Sequence, residues 1–241
     1  MSKSTDGISK AASGSGAILI AASVAAALLT STASVADTYV KVPPPAVDET
    51  APGGSETAVV AGGCFWGVQA VFQHVKGVKQ AVSGFAGGKK DTAEYEMVGT
   101  GDTGHAESVQ ITYDPKQISY GKLLQIYFSV AHDPTQVNRQ GPDSGTQYRS
   151  AIFATNGDQA KIAADYIAQL DKAKVFKEPV ATQVTALPGF YPAEDYHQDY
   201  ATLHPDSAYI AINDAPKVEH LASMFPDVYR STPVLVSAAS Q

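Results

Sequence analysis

Residues 57–77, TAVVAGGCFWGVQAVFQHVKG, decide how the chain folds. Thr57 to Ala61 read as a short buried strand, closed by Gly62 and Gly63. From Val68 the apolar residues Val68, Val71, Phe72 and Val75 recur at i, i+3, i+4 and i+7, one face of a helix. Lys76 and Gly77 supply its end. A strand that turns straight into a helix puts Cys64, the only cysteine, in the first helical turn, and the only tryptophan, Trp66, two residues later. A helix amino terminus offers unpaired N–H groups and the positive end of the dipole, which lower the pKa of a thiol placed there. Free cysteine is equally an ordinary small core hydrophobe, and the local pattern leaves both readings open. Phe65 and Trp66 are two-sided in the same way: core and lid, or an apolar box for a small substrate group such as a methyl.

Working outward, ESVQITYD (107–114) alternates strictly, with Glu107, Val109, Ile111 and Tyr113 on one face. That strand points a carboxylate toward the core. Glu107 either escapes to solvent at the strand end or is buried, in which case desolvation raises its pKa and it can serve as a general acid. Ser119 caps a helix carrying Leu123, Leu124, Tyr127 and Phe128. The turn-rich loop 132–147 leads into a strand from Tyr148, and 158–174 is an amphipathic helix through Ile162, Tyr166, Ile167 and Leu170. VATQVTAL (180–187) and AYIAIN (208–213) read as short strands, and Pro216 opens a last helix through Val218, Leu221 and Ala222. Strands and helices mix without a regular βαβ count, which predicts an α+β fold.

The 241 residues, 44% hydrophobic and 17% charged, suit a globular domain with a real core. A formal charge of −7 with no basic stripe argues against a nucleic-acid partner. One cysteine excludes an intramolecular disulfide. His105, His132, His197, His204 and His220 lack the paired spacing of a zinc site, and there is no phosphate loop, dinucleotide fingerprint or nucleophilic-serine elbow. No bound cofactor or metal is expected. Lys3 and Lys10, the apolar run from Ala17 to Leu29 and the small residues Ser34, Val35 and Ala36 predict a signal peptide over residues 1–36. The run is short for a bilayer span, so a retained membrane anchor is the weaker alternative to a periplasmic or secreted protein. Residues 37–57 read as a Pro/Gly-rich linker, 58–230 as the working domain and 231–241 as a disordered tail.

Four dispersed stretches converge: GCFWG (63–67), GTGDTGHAESVQITYDP (99–115), HDPTQVNRQGPDSGTQYRSAI (132–152) and FYPAEDYHQDY (190–200). Together and in this order they resemble the peptide methionine sulfoxide reductase A family, which reduces the S epimer of methionine sulfoxide. The resemblance covers nearly all of 58–230 and implies an α+β two-layer sandwich with a ferredoxin-like core and a mixed sheet. It implies that Cys64 attacks the sulfoxide sulfur and that Glu107 protonates the sulfoxide oxygen. Tyr95 and Tyr148 would hold that oxygen, and Asp143 would support the site. Phe65 and Trp66 would form the methyl pocket, with Glu194 and His197 lining it. The product on Cys64 is a sulfenic acid. Many relatives resolve that acid with a further cysteine, absent here, so an external thiol is required: a thioredoxin, a glutaredoxin or a small thiol. Many relatives also have GY and NPTY where this chain has Phe85 and the stretch from Asp91 to Tyr95. The expected partners are oxidised proteins or peptides and the thiol reductant, acting on a monomer. The competing readings are a single-cysteine thiol peroxidase and a non-catalytic binder of oxidised peptides.

Overall fold

The computed structural model describes residues 39–50 and 53–236; the segment read as a signal peptide lies outside the described residues. Its strands are β1 (Glu56–Ala61), β2 (Val78–Ala86), β3 (Ala106–Tyr113), β4 (Arg139–Gln140), β5 (Asp143–Ser144), β6 (Ala151–Ala154), β7 (Gln183–Ala186) and β8 (Phe190–Pro192). The helices are α1 (Phe65–Gln73), α2 (Tyr95–Val98), α3 (Tyr120–Ile126), α4 (Gly157–Lys172), α5 (Tyr200–Leu203) and α6 (Ala215–Met224). Six strands form one sheet in the order β7-β6-β1-β3-β2-β8, and β4 and β5 form a separate two-stranded ribbon. Only the β6–β7 pair in the six-stranded sheet is parallel. Mixed sheet and helices make the fold α+β, as expected.

The sheet register sets up the site. Val60 of β1 faces Val109 of β3, so the chain leaving β1 passes Glu107 at the next steps of the same register. Ala61 faces Ala151 at the start of β6, which brings the turn before β6 to the same end of the sheet. β3 lies between β1 and β2, and its first four residues, Ala106 to Val109, are all buried. The alternation seen in the sequence survives only in its second half, where Gln110 and Thr112 are half-buried. Ser119 caps α3 as expected, accepting the Lys122 N–H at 3.2 Å. Val68, Val71, Phe72 and Val75 enter the main hydrophobic core.

Several expectations change. AYIAIN is not a strand: Ile210–Asp214 form a π-helical turn that runs into α6. A six-residue apolar run cannot distinguish strand from helix by period, and here Ile210 is 2% exposed while Ile212 is 72% exposed. The strand expected from Tyr148 begins at Ala151, because Thr146–Tyr148 form a 3₁₀ turn. β2 was not expected at all. A bulge between Val78 and Gln80 breaks its alternation, and Gly84 interrupts its apolar run. The stretch read as a linker is fastened to the domain over residues 39–50. Val42 is buried, donates its N–H to Ser129 Oγ at 3.1 Å and accepts Gln125 Nε2 at 2.8 Å. Asp48 and Glu49 accept the N–H groups of Gly121 and Tyr120 at 2.8 and 2.7 Å, so two carboxylates occupy the positive end of α3. The described part of the tail is also tied down, with Val234 N–H on Gln73 O and Val236 N–H on Asp199 Oδ1, both at 3.0 Å. Among the described residues, no helix is long and apolar enough to cross a membrane.

Candidate active site

The site starts from the two glycines after β1. Gly63 has φ +86°, a conformation that glycine adopts without the Cβ penalty. A Cβ there would stand 2.5 Å from Gln140 Cγ, and one on Gly62 would stand 2.8 Å from the His132 ring. His132 is in turn fixed at 2.7 Å from Ser150 Oγ. The turn is therefore clamped by the 132–141 loop, and Cys64 follows as the N-cap of α1. Gly63→Ala is expected to cost about 2 to 4 kcal/mol, the sum of a forced positive φ and overpacking against Gln140. Thermal melting checks that loss, with a parallel fall in turnover.

Cys64 is 8% exposed. Its pKa is pushed up, foremost by burial and then by the charges of Glu107 and Asp214. This corrects the expectation of a lowered value. The helix-end effect is present, as a hydrogen bond from the Trp66 N–H that favours the thiolate, but burial outweighs it.

Glu107 enters from β3, 4% exposed, and accepts the backbone N–H of Phe65 at 3.0 Å. It is therefore bonded to the residue next to the cysteine. Burial pushes its pKa up to about 8, Asp143 and Asp214 add to the rise, and the Phe65 N–H opposes it. Of its two readings, the buried carboxyl is the one found.

Tyr95 opens α2 with its N–H on Glu194 Oε1 at 3.0 Å and its ring 4.2 Å from that of His197. Burial pushes its hydroxyl up to about 12, and the charges of Glu107 and Cys64 act in the same sense. Tyr148, in the 3₁₀ turn before β6, is raised by burial and then by Glu107, Asp143, Tyr95 and Cys64. Both hydroxyls therefore keep their protons at neutral pH and share one electrostatic neighbourhood with the thiol and the acid. Asp143, on β5, accepts a hydrogen bond from Tyr209.

Phe65 is fully buried, its ring 5.8 Å from Phe85, 6.5 Å from Tyr95 and 5.2 Å from His197. Trp66 is half-buried, stacked on Tyr200 at 3.9 Å and edge-on to Tyr209 at 5.9 Å. Its indole N–H donates to His197 Nδ1 at 3.2 Å. Burial lowers the His197 pKa, so the ring is neutral at pH 7 and carries its proton on Nε2. That Nε2 and Glu194 Oε2 are both buried with no hydrogen-bond partner among the described residues. All nine residues singled out from the sequence thus fall in one aromatic, hydroxyl-bearing neighbourhood around Cys64 and Glu107.

Tyr200, Tyr209, Asp214 and Lys217 were not singled out. Asp214 and Lys217 form a buried ion pair at 3.1 Å. An acid and a base three apart in NDAPK (213–217) was its only sequence signal, and that pattern more often marks a solvated helix face. The arrangement can hold a small molecule with an apolar end against Trp66 and a polar oxygen facing two hydroxyls and a protonated carboxyl, with a thiol beside it.

The family model described as peptide methionine sulfoxide reductase matches residues 56–228. The chain is 64% identical over 194 residues to peptide methionine sulfoxide reductase MsrA 2 of Mesorhizobium japonicum, covering 80% of this chain and 100% of that one. It is 50% identical over 190 residues to MsrA 2 of Synechocystis, covering 77% and 89%. Among solved structures it is similar to reduced Mxr1 from Saccharomyces cerevisiae, with TM-score 0.58, 32% identity and coverage of 67% of this chain and 92% of that chain. It is also similar to methionine sulfoxide reductase A of Corynebacterium diphtheriae, with TM-score 0.55, 36% identity and coverage of 64% and 77%. A match over most of the folded domain, with the thiol, the buried acid and the aromatic box inside it, places the chain in the peptide methionine sulfoxide reductase A family.

Proposed function

We propose that this chain reduces the S epimer of methionine sulfoxide through a sulfenic acid on Cys64. The observation that carries the mechanism is Glu107, a buried carboxyl with its pKa near 8, bonded to the N–H of Phe65 beside the nucleophile. A sulfoxide oxygen leaves sulfur poorly until it is protonated, and a carboxyl still holding its proton at pH 7 supplies that proton. Cys64 gives its proton to solvent and, as the thiolate, forms a bond to the substrate sulfur while Glu107 delivers its own proton to the oxygen. The hydroxyl then passes to the Cys64 sulfur as the substrate's sulfur–oxygen bond and the newly formed sulfur–sulfur bond both break. The products are methionine, Cys64 sulfenic acid and ionised Glu107, so the oxidation state lost by the substrate is gained by the cysteine. Tyr95 and Tyr148 hold the oxygen during the transfer, Asp143 orders Tyr209 beside the thiol, and Phe65 and Trp66 take the methyl. His197 and Glu194 close the aromatic side of the box.

The chain has one cysteine, so regeneration falls to an external thiol. That thiol attacks the sulfenic acid, releases water and forms a mixed disulfide, which a second thiol reduces. Dithiothreitol in excess can replace the natural reductant. With it, purified protein is expected to reduce the S sulfoxide of a blocked methionine and leave the R epimer intact. An untouched S epimer defeats the reading. We also propose that residues 1–36 are an export signal. The expected mature amino terminus is Asp37, read by mass spectrometry of protein from the native host.

A further inference from the structure

The buried pair Asp214–Lys217 takes no part in the mechanism above, yet it lies against the helix that Cys64 caps. A Cβ on Gly67 would collide with Asp214 Oδ1 and stand 2.8 Å from Lys217 Nζ. The pair therefore occupies the space that this glycine leaves open, three residues after Cys64. Cys64 caps this helix from just outside its first turn, so the carboxylate packs against the turn that Cys64 opens. Asp214 is fully buried and Lys217 nearly so. Such a pair is a poor stabiliser, because the desolvation of both ions consumes most of their attraction. Lys217 engages Oδ1, and among the described residues the buried Asp214 Oδ2 has no hydrogen-bond partner. The half of the carboxylate that the ammonium leaves uncompensated presents a net negative edge to its surroundings.

We propose that Asp214, pinned by Lys217 into the space at Gly67, is a positioning residue that holds the Cys64 thiolate in check in the free enzyme. The inference rests on Cys64 being the nucleophile. Its use follows from the single cysteine: without a second thiol in the chain, a freely ionised Cys64 would be carried by peroxide through sulfenic to sulfinic acid. In each such step the sulfur gains one oxygen from peroxide and water leaves. A restrained thiol reacts where bound sulfoxide and the Glu107 proton favour attack.

The charges around the sulfur agree with this. Asp214 disfavours its ionisation more than Lys217 favours it, and Glu107 on β3 acts with Asp214 whenever it is ionised. The hydroxyls of Tyr95, Tyr148 and Tyr209 share its field. Asp214 itself faces Lys217 and Asp143, while Lys217 also faces Tyr39 and the buried His132.

The test is the pH dependence of Cys64 alkylation by iodoacetamide in the full chain. This readout does not need sulfoxide reduction. Asp214→Asn keeps the shape of the side chain and is expected to move the alkylation midpoint about one unit toward acid, about tenfold faster alkylation at pH 7. Inactivation by hydrogen peroxide quickens with it. Asp214→Asn/Lys217→Met, which removes both charges, is expected to move the midpoint the same way and serves if the single variant does not fold. An unchanged or more alkaline midpoint overturns the proposal. So does alkylation that is faster by the same factor at every pH, since that reports loosened packing and not a changed thiol. Shifted alkylation in a chain that fails to reduce methionine S-sulfoxide would defeat the proposed function and leave this inference standing.

Discussion

Cys64→Ser lowers the turnover of methionine S-sulfoxide by about ten-thousandfold or more, the loss that follows removal of a nucleophile from a site whose other parts remain. The hydroxyl that replaces the thiol is far less acidic, and the burial that already raises the Cys64 pKa raises it further. Neither Glu107 nor His132 can serve a serine as base: Glu107 keeps its proton up to about pH 8, and His132, pushed down to about 3 by burial, is engaged by Ser150. The fold should hold, because serine differs from cysteine by one atom and the Trp66 N–H can bond to either. A stability change within about 2 kcal/mol by thermal melting, beside loss of turnover, is the expected pair of results. Turnover within tenfold of the parent would mean that another group attacks the sulfoxide.

Glu107→Gln is expected to lower turnover by about a hundredfold to ten-thousandfold with a small effect on KM. Glutamine keeps the shape and can still accept the Phe65 N–H, but it has no proton to surrender. The sign of the pH dependence follows from the raised pKa. A general acid works when protonated, so the parent rate is supported below about pH 8 and falls as the pH rises through that value. The variant is slow throughout and lacks that fall. Stability carries the same signature. The parent Glu107 titrates near 8 when folded against 4.5 unperturbed, so its contribution is fully present below 4.5 and is lost as the pH rises through 8. The melting temperature of Glu107→Gln should thus gain on the parent between those values and exceed it in alkaline buffer. A parent rate that is flat across pH 8, or a parent melting temperature that does not fall relative to the variant between pH 4.5 and 8, would remove Glu107 from the acid role.

How far the site could be read from sequence depends on what each residue needed to be recognised. Cys64 at a strand-to-helix turn is a local feature, fixed by the apolar spacing of α1 and by two glycines, and it was legible. Glu107 was half legible. Alternation put it on the core face of β3, but only the neighbours β1 and β2 decide that the carboxyl stays buried. The direction of the Cys64 shift could not be read locally. Helix-end electrostatics favour the thiolate, and the opposing burial and carboxylates come from β3 and from Asp214, 150 residues away in sequence. Tyr95, Tyr148, Asp143, Glu194 and His197 carried no periodic signal, since they lie in short helical turns, the β4–β5 ribbon and loop ends. They were reached only through the family resemblance. In the fold, β2 hid behind a bulge, AYIAIN was too short to declare its period, and residues 39–50 looked like a linker because their apolar contacts are spread over single residues such as Val42.

A single-turnover reaction without any thiol tests the central claim most directly. Protein mixed with excess methionine S-sulfoxide should release one methionine per chain and then stop, with one added oxygen on the Cys64 peptide by mass spectrometry and a full further turnover on adding dithiothreitol. Continued methionine release without thiol, or release with no oxygen gained by Cys64, would contradict it.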